Sequence, residues 1–374
     1  MKIYLDVTPY FWRTEDRGGI YHYIERFLAH LPLREETILL VRGRRVIDSE
    51  KVKQMAQNYP LHWVKFPGQL HKIFPVLWKR TAYLSLWHDL PLIWRAKPFL
   101  VVHDLRSLIY EEELLPLEKG LPLFSSFSSL PEFRKRWDYF KERRRALKKA
   151  FKQAHGFIAV SEFTARELQS HGIEASRIKQ VYHGPLPKAT PSSLPSFLEG
   201  RPFFLYVGKV EPLKNIEGLL HAFKLLERLY PSLLLVIAGP LTWYGRFLRE
   251  RLPASRNVYF LDFVSPHLLE TLYRSALALV LPSFYEGFGL PVLEAMSRGL
   301  AVAASIRGAL PEIAGPAALY FNPLSIEEMA ACMERLLQDE ALRSHLGNLG
   351  KKKSQKFSWD RCVRETLSWI KEHT

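Results

Sequence analysis

Short, unbroken apolar runs recur along the chain, separated by longer stretches in which apolar residues return every three or four positions. Lys2–Val7, Ile38–Val41, Phe99–Val102, Phe157–Val160, Phe203–Val207, Leu233–Ala238, Val258–Leu261, Ala276–Leu281 and Ala301–Ala304 read as strands. Several lack the alternation of a sheet with one wet face, so they are expected to be buried on both sides. The helical period appears over Tyr21–Leu31 and Ile216–Leu229, and again from Leu290 or Pro291 onward. Leu205-Tyr-Val-Gly208, then Ile216–Leu229, then LLLVIAG form a strand, crossover helix and strand. Right-handed crossovers require a parallel sheet with helices on both faces, so the chain is α/β.

A length of 374 residues exceeds one compact domain and predicts two, each of roughly 150 to 200 residues. The proline-rich, aperiodic segment Gly184–Pro202 is the natural boundary. The expected division is 1–190, then 200–357, then a closing segment 358–374. Hydrophobic residues make up 47% of the chain and no low-complexity period is present, which excludes disordered and fibrous classes. No charge-free apolar stretch of about 18 residues occurs, so no transmembrane helix is expected. The start, MKIYLDVTPYFW, lacks the pattern of a secretory signal. Cys332 and Cys362 alone cannot build a disulfide framework. These features together predict a cytoplasmic protein.

The densest chemical signal is Pro282–Gly299, PSFYEGFGLPVLEAMSRG, where a strand leads through a glycine-bearing loop into a helix. Free backbone N–H groups and the helix dipole at such a start favour an anion. Glu286 stands at the mouth of the loop and Glu294 lies eight positions on, about two helical turns away. Carboxylates there suit sugar or ribose hydroxyls; the alternative is a plain turn with a surface glutamate at each end. In Tyr206-Val-Gly-Lys-Val-Glu-Pro-Leu-Lys214-Asn, Lys209 and Lys214 flank a loop at a strand end, where two ammonium groups could neutralise a diphosphate. Surface lysines are the competing explanation. Gly18 and Gly19 precede the first long helix, and His103-Asp104 directly follows a strand. A structural histidine bonded to Asp104 or to the backbone is the other reading.

Taken together, these motifs resemble the retaining glycosyltransferases of family 4, of GT-B fold. The resemblance rests on Glu286-Gly-Phe-Gly-Leu-Pro-Val-Leu-Glu294, YVGKVEPLKN, VSEFTARELQ, His103-Asp104 after a strand and Gly18-Gly19 before the first helix, all in the family's order. It implies two Rossmann-like domains facing a cleft, a nucleotide-sugar donor on the second domain, an acceptor on the first, and a final helix crossing back to the first. It assigns Glu294 to the donor ribose, Glu286 to sugar hydroxyls, and backbone amides around Phe288, Gly289 and Leu290 to the sugar and phosphates. By the same resemblance Lys209 and Lys214 hold the diphosphate, Gly18 and Gly19 close on it, the backbone near Val264 meets the base, and His103 contacts the sugar near the reacting carbon. One position departs: the family usually carries Arg where Lys209 stands, which replaces a bidentate fork with a point charge. GFGLPVLEAMSRG followed by GALPEIAG and ALYFNP looks most like bacterial mannosyltransferases of surface-polysaccharide assembly. The implied donor is GDP-mannose, with a UDP-hexose as the alternative, and the implied acceptor is a growing glycan or lipid-linked glycan. No Asp-x-Asp pair occurs anywhere, so neither metal nor cofactor is expected.

Charge adds a second theme. The formal net charge is +15, and residues 1–200 hold 32 basic against 21 acidic residues. Residues 134–152, RKRWDYFKERRRALKKAFK, contain ten basic residues, while Phe133, Trp137, Phe140, Leu147 and Phe151 share one helical face. Residues 59–99 add Trp63, Phe66, Phe74, Trp78, Tyr83, Trp87, Trp94 and Phe99 among six basic residues. Cations beside aromatic residues suit an anionic membrane surface, so peripheral attachment at the inner face of the membrane is expected; an acceptor pocket or ordinary core is the alternative. A nucleic-acid-binding protein would also explain the charge, but no recognised module supports it and it leaves Glu286 to Glu294 unexplained. A non-catalytic GT-B scaffold is a third reading.

Overall fold

The computed structural model describes residues 3–7, 19–32, 37–42, 61–64, 81–86, 97–251 and 255–374. They divide into two compact units. The first is Met1–Leu105 with Glu142–Leu186 and Phe357–Thr374; the second is Arg106–Lys141 with Pro187–Lys356. The expected division kept 106–141 with the first domain, whereas their contacts group them with the second.

In the first unit the described strands are β1 (Ile3–Asp6), β2 (Thr37–Arg42), β3 (Leu61–Val64), β4 (Ala82–Ser85), β5 (Lys97–Val102), β6 (Gly156–Ala159) and β7 (Ile178–Gln180). They form one parallel sheet in the order β3-β2-β1-β4-β5-β6-β7. Leu5, Leu84, Val101 and Ile158 are fully buried, as strands covered on both faces require. Helix α1 (Gly19–Ala29) turns Tyr21, Tyr23, Ile24, Phe27 and Leu28 inward. Helix α2 (Pro131–Gln153) buries Phe133, Phe140, Leu147 and Phe151, with Trp137 half-buried, so the predicted apolar face exists. Its residues divide between the two units at 141/142. Helix α3 (Glu162–Ser170) is capped by Ser161, whose hydroxyl accepts from the Thr164 amide at 3.0 Å.

The second unit carries β8 (Phe203–Val207), α4 (Ile216–Glu227), β9 (Leu234–Ala238), α5 (Trp243–Arg251), β10 (Val258–Asp262), α6 (Pro266–Ser275), β11 (Ala278–Leu281), α7 (Leu290–Arg298), β12 (Ala301–Ser305), α8 (Leu310–Ala314), β13 (Ala318–Phe321), α9 (Ile326–Gln338) and α10 (Glu340–Ser354). Its parallel sheet runs β10-β9-β8-β11-β12-β13. The chain winds outward from β8 to β10, then restarts on the other side of β8 with β11. The order therefore reverses between β8 and β11, and loops leaving the carboxyl ends of such strands frame the ligand crevice of an open α/β sheet. Those two loops are the Lys209–Lys214 and Glu286 segments.

Helix α11 (Trp359–Glu372) closes the chain and belongs to the first unit. Two tryptophans anchor it on glycines. A Cβ at Gly184 would lie 2.7 Å from the Trp359 ring, and one at Gly156 would lie 2.5 Å from Trp369. Trp359 also donates from Nε1 to the Pro185 carbonyl at 3.0 Å. Residues 106–141 dock on the second unit through Phe127, fully buried, whose ring meets Tyr244 edge-on at 5.0 Å and Phe247 at 6.0 Å. The Leu123 amide donates to Glu217 at 2.6 Å, and the Tyr244 hydroxyl donates to the same carboxylate at 3.0 Å.

Candidate functional site

The loop after β8 is shaped by close backbone approach. Gly208 has φ +147° and Gly239, at the end of neighbouring β9, has φ +142°; a Cβ at Gly239 would lie 2.2 Å from the Gly208 carbonyl oxygen. Only glycine fits where two backbones approach this closely. Buried Tyr206 donates its hydroxyl to the Lys209 carbonyl at 3.0 Å, tying the loop to its strand. The loop ends at Asn215, held at φ 53°, which accepts from the Gly218 amide and so caps α4 while donating to the Pro323 carbonyl at 2.7 Å.

The second loop is bonded to the first. The Phe284 amide donates to the Leu213 carbonyl at 2.9 Å, which brings Lys214 and Glu286 together. Lys214 Nζ lies 2.7 Å from Glu286 Oε1, and the Ser283 hydroxyl donates to the same oxygen at 2.8 Å. Both partners remain partly open, with side-chain exposures of 18% and 14%. The Glu286 backbone is clamped as well: its carbonyl accepts from the Ala309 amide at 2.9 Å, and a Cβ at Gly308 would lie 2.5 Å from that oxygen. Phe288 and Gly289 are buried and Leu290 is half-buried. Gly289, at φ +95°, is the cap residue from which α7 starts.

Glu294 points inward from α7 at 4% exposure, and its Oε2 accepts the Tyr273 hydroxyl at 2.6 Å. The Arg298 guanidinium lies over the Tyr273 ring, 4.9 Å from its centre, and pairs with buried Glu270 at 2.8 Å. The Tyr273 hydroxyl thus fixes the Glu294 carboxylate, while Arg298 holds Tyr273 from its ring face and bonds the Glu294 carbonyl at 3.1 Å. Half-buried Val264 follows β10, beyond Asp262, which adopts φ 53° and accepts the Leu241 amide at 3.0 Å.

The remaining sequence-expected residues lie in the first unit. Gly18 falls outside the described residues; Gly19 is exposed, with nothing within 4 Å of where a Cβ would stand. Trp63, Phe66, Phe74, Trp78, Trp87 and Trp94 also fall outside the described side chains. His103 is half-buried, with Nε2 2.9 Å from the Leu86 carbonyl and its ring edge-on to Tyr23 at 4.6 Å. A carbonyl only accepts, so Nε2 carries the proton and Nδ1 keeps a lone pair in the neutral ring. Burial holds the His103 pKa below the ordinary histidine value, against the opposing pull of Leu86 and Asp104. This imidazole is an acceptor at neutral pH.

Two further residues, not singled out in the sequence, meet at the first loop. Glu211 stands between Lys209 and Lys214, and Arg106 Nη1 reaches its Oε1 at 3.2 Å. Burial would raise the Glu211 pKa; Arg106, Lys214, Arg136 and Lys209 outweigh it and hold the carboxyl below its usual range. Glu211 was legible as an acid between two lysines. Arg106, 105 positions away, carried no sequence signal.

The family model of the glycosyl transferases group 1 matches residues 195–353, and that of Glycosyltransferase Family 4 matches residues 17–185. O-antigen chain mannosyltransferase B of Escherichia coli is 31% identical over 273 residues, covering 68% of this chain and 71% of that protein. This chain is a family 4 glycosyltransferase. A serotype-specific mannosyltransferase, WbdA of Escherichia coli, is 32% identical over 276 residues, 70% of this chain but 32% of its own length. Among solved structures, Anabaena HepE in complex with UDP-glucose superimposes with a TM-score of 0.71 at 19% identity, over 99% of this glycosyltransferase and 100% of HepE. The fold of the glycosyltransferase is GT-B. Among its described residues no helix is long and apolar enough to cross a membrane.

Proposed function

We propose that this glycosyltransferase moves a mannosyl unit from GDP-mannose to a growing glycan or lipid-linked acceptor, with retention of configuration and without a metal ion. The observation that carries the reading is the Lys214–Glu286 pair at the strand-order reversal, with Lys209 on the same loop. When the C1–O bond of the donor breaks, negative charge builds on the departing diphosphate. Lys209, Lys214 and the amides at the start of α7 supply fixed positive potential without reorganisation. Glu286, oriented by Ser283 and Lys214, accepts from hydroxyls of the donor sugar. Glu294 takes the ribose hydroxyls and the backbone near Val264 takes the base.

The mannosyl assignment follows the two Escherichia coli relatives; a UDP-hexose donor is the second reading, favoured by the HepE complex. Metal independence is supported by the cationic loop and by a sequence without Asp-x-Asp. The deciding experiment is a thermal-shift panel with GDP, UDP, ADP and their sugar conjugates, run in EDTA and again with manganese, since a ligand that prefers the native state raises its stability. Stabilisation by GDP and GDP-mannose is expected. A response to UDP species alone would replace the donor, a response only with manganese would overturn metal independence, and no response would overturn the donor site.

A further inference from the structure

Two arginines of the segment 106–141 pair with glutamates in opposite ways. Arg136 grips Glu118 with both terminal nitrogens, at 2.9 and 2.5 Å, in a site where the carboxylate is fully buried and also takes the Tyr110 hydroxyl at 2.7 Å. That pair is a closed, structural one. Arg106 instead meets Glu211 end-on, Nη1 to Oε1 at 3.2 Å, with side-chain exposures of 35% and 24%. A long contact between partly exposed groups exchanges readily for another anion.

Its position gives the exchange a meaning. Glu211 lies within the Lys209–Lys214 loop, so its carboxylate competes with any diphosphate bound there. The loop's own cations, Lys209 and Lys214, are both ammonium groups, so it lacks a planar guanidinium, the group that matches phosphate oxygens two at a time. Arg106 places such a fork beside this loop.

Resting on the donor reading above, we infer that Arg106 is a third cation for the donor diphosphate, held ready by Glu211 and transferred from that carboxylate to phosphate oxygens on binding. Glu211 is then the counter-ion of the unliganded loop rather than a donor contact. The two partners should respond with opposite sign, which a purely structural ion pair would not do.

The test is calorimetric titration of GDP and of UDP into the full chain and into Arg106→Gln and Glu211→Gln variants. Arg106→Gln should weaken the nucleoside diphosphate that binds by about tenfold, the scale of one charge-assisted hydrogen bond. Glu211→Gln, which removes the competitor and keeps the shape, should tighten it severalfold. Unchanged affinity in Arg106→Gln, or weakening in both variants, would overturn the inference while leaving the donor site standing. Binding of neither nucleotide to the unaltered chain would overturn both.

Discussion

At the residue scale, the site depends on where each charge is held. Glu286 has Lys214 and Ser283 on one oxygen, so Glu286→Gln should keep the fold and nucleotide binding while lowering turnover by about a hundredfold or more, read from kcat against the diphosphate Kd. A different titration governs stability. His183 is stacked on Trp359, ring centres 5.1 Å apart, and donates from Nδ1 to the Gly184 carbonyl at 3.2 Å. Burial pushes its pKa down to about 3 from the ordinary histidine value of 6.5. A histidine with a depressed folded-state pKa leaves the unfolded chain binding more protons between those values. Stability should therefore fall by about 1.4 kcal/mol for each pH unit below about 6.5, until about pH 3. His183→Phe should flatten that slope in acid denaturation curves. Glu286 and Glu294 were legible as candidates because both lie in one short motif. Arg106 was not, because the contact that gives it meaning joins residues 105 apart.

At the element scale, helix α7 is placed by the glycines at its ends. Gly289 caps it at φ +95°, where a Cβ would lie 2.4 Å from Leu310 Cδ2, and Gly299 ends it at φ +76°. Gly289→Ala combines strain with a clash and should cost about 2 kcal/mol or more in denaturant unfolding, with donor binding weakened because the α7 amides move. The nine strands read from apolar runs all exist. Leu61–Val64, Ala82–Ser85, Ile178–Gln180 and Ala318–Phe321 were not read. They are three or four residues long, and a run that short carries too little periodicity to stand apart from a helix or loop. Pairing within the sheet stabilises them: Ala82–Ser85 is a strand because β1 and β5 flank it. The helix over 134–152 was expected from its apolar spacing and extends to Pro131–Gln153.

At the scale of the whole molecule, charge makes a prediction of its own. On α2, Arg134, Lys135, Lys141, Arg145, Lys148, Lys149 and Lys152 are exposed, and each basic group near an anionic bilayer contributes about 1 kcal/mol. Co-sedimentation with anionic liposomes at low salt is expected, and Lys148→Glu with Lys149→Glu should reduce it severalfold; an unaltered chain that stays in solution would end the membrane reading. The sequence by itself determined the α/β class, most of the strands, the motif loops and the family, because each is written in local periodicity or in residues close along the chain. Tertiary structure alone decided that the Lys214 and Glu286 loops meet at the reversal between β8 and β11 and that Glu294 is braced by Tyr273. It likewise decided that 106–141 packs with the second unit and delivers Arg106 to Glu211. The physical reason is common to all of these: backbone pairing and burial join segments distant in sequence, and no local pattern encodes which distant partner a side chain will meet.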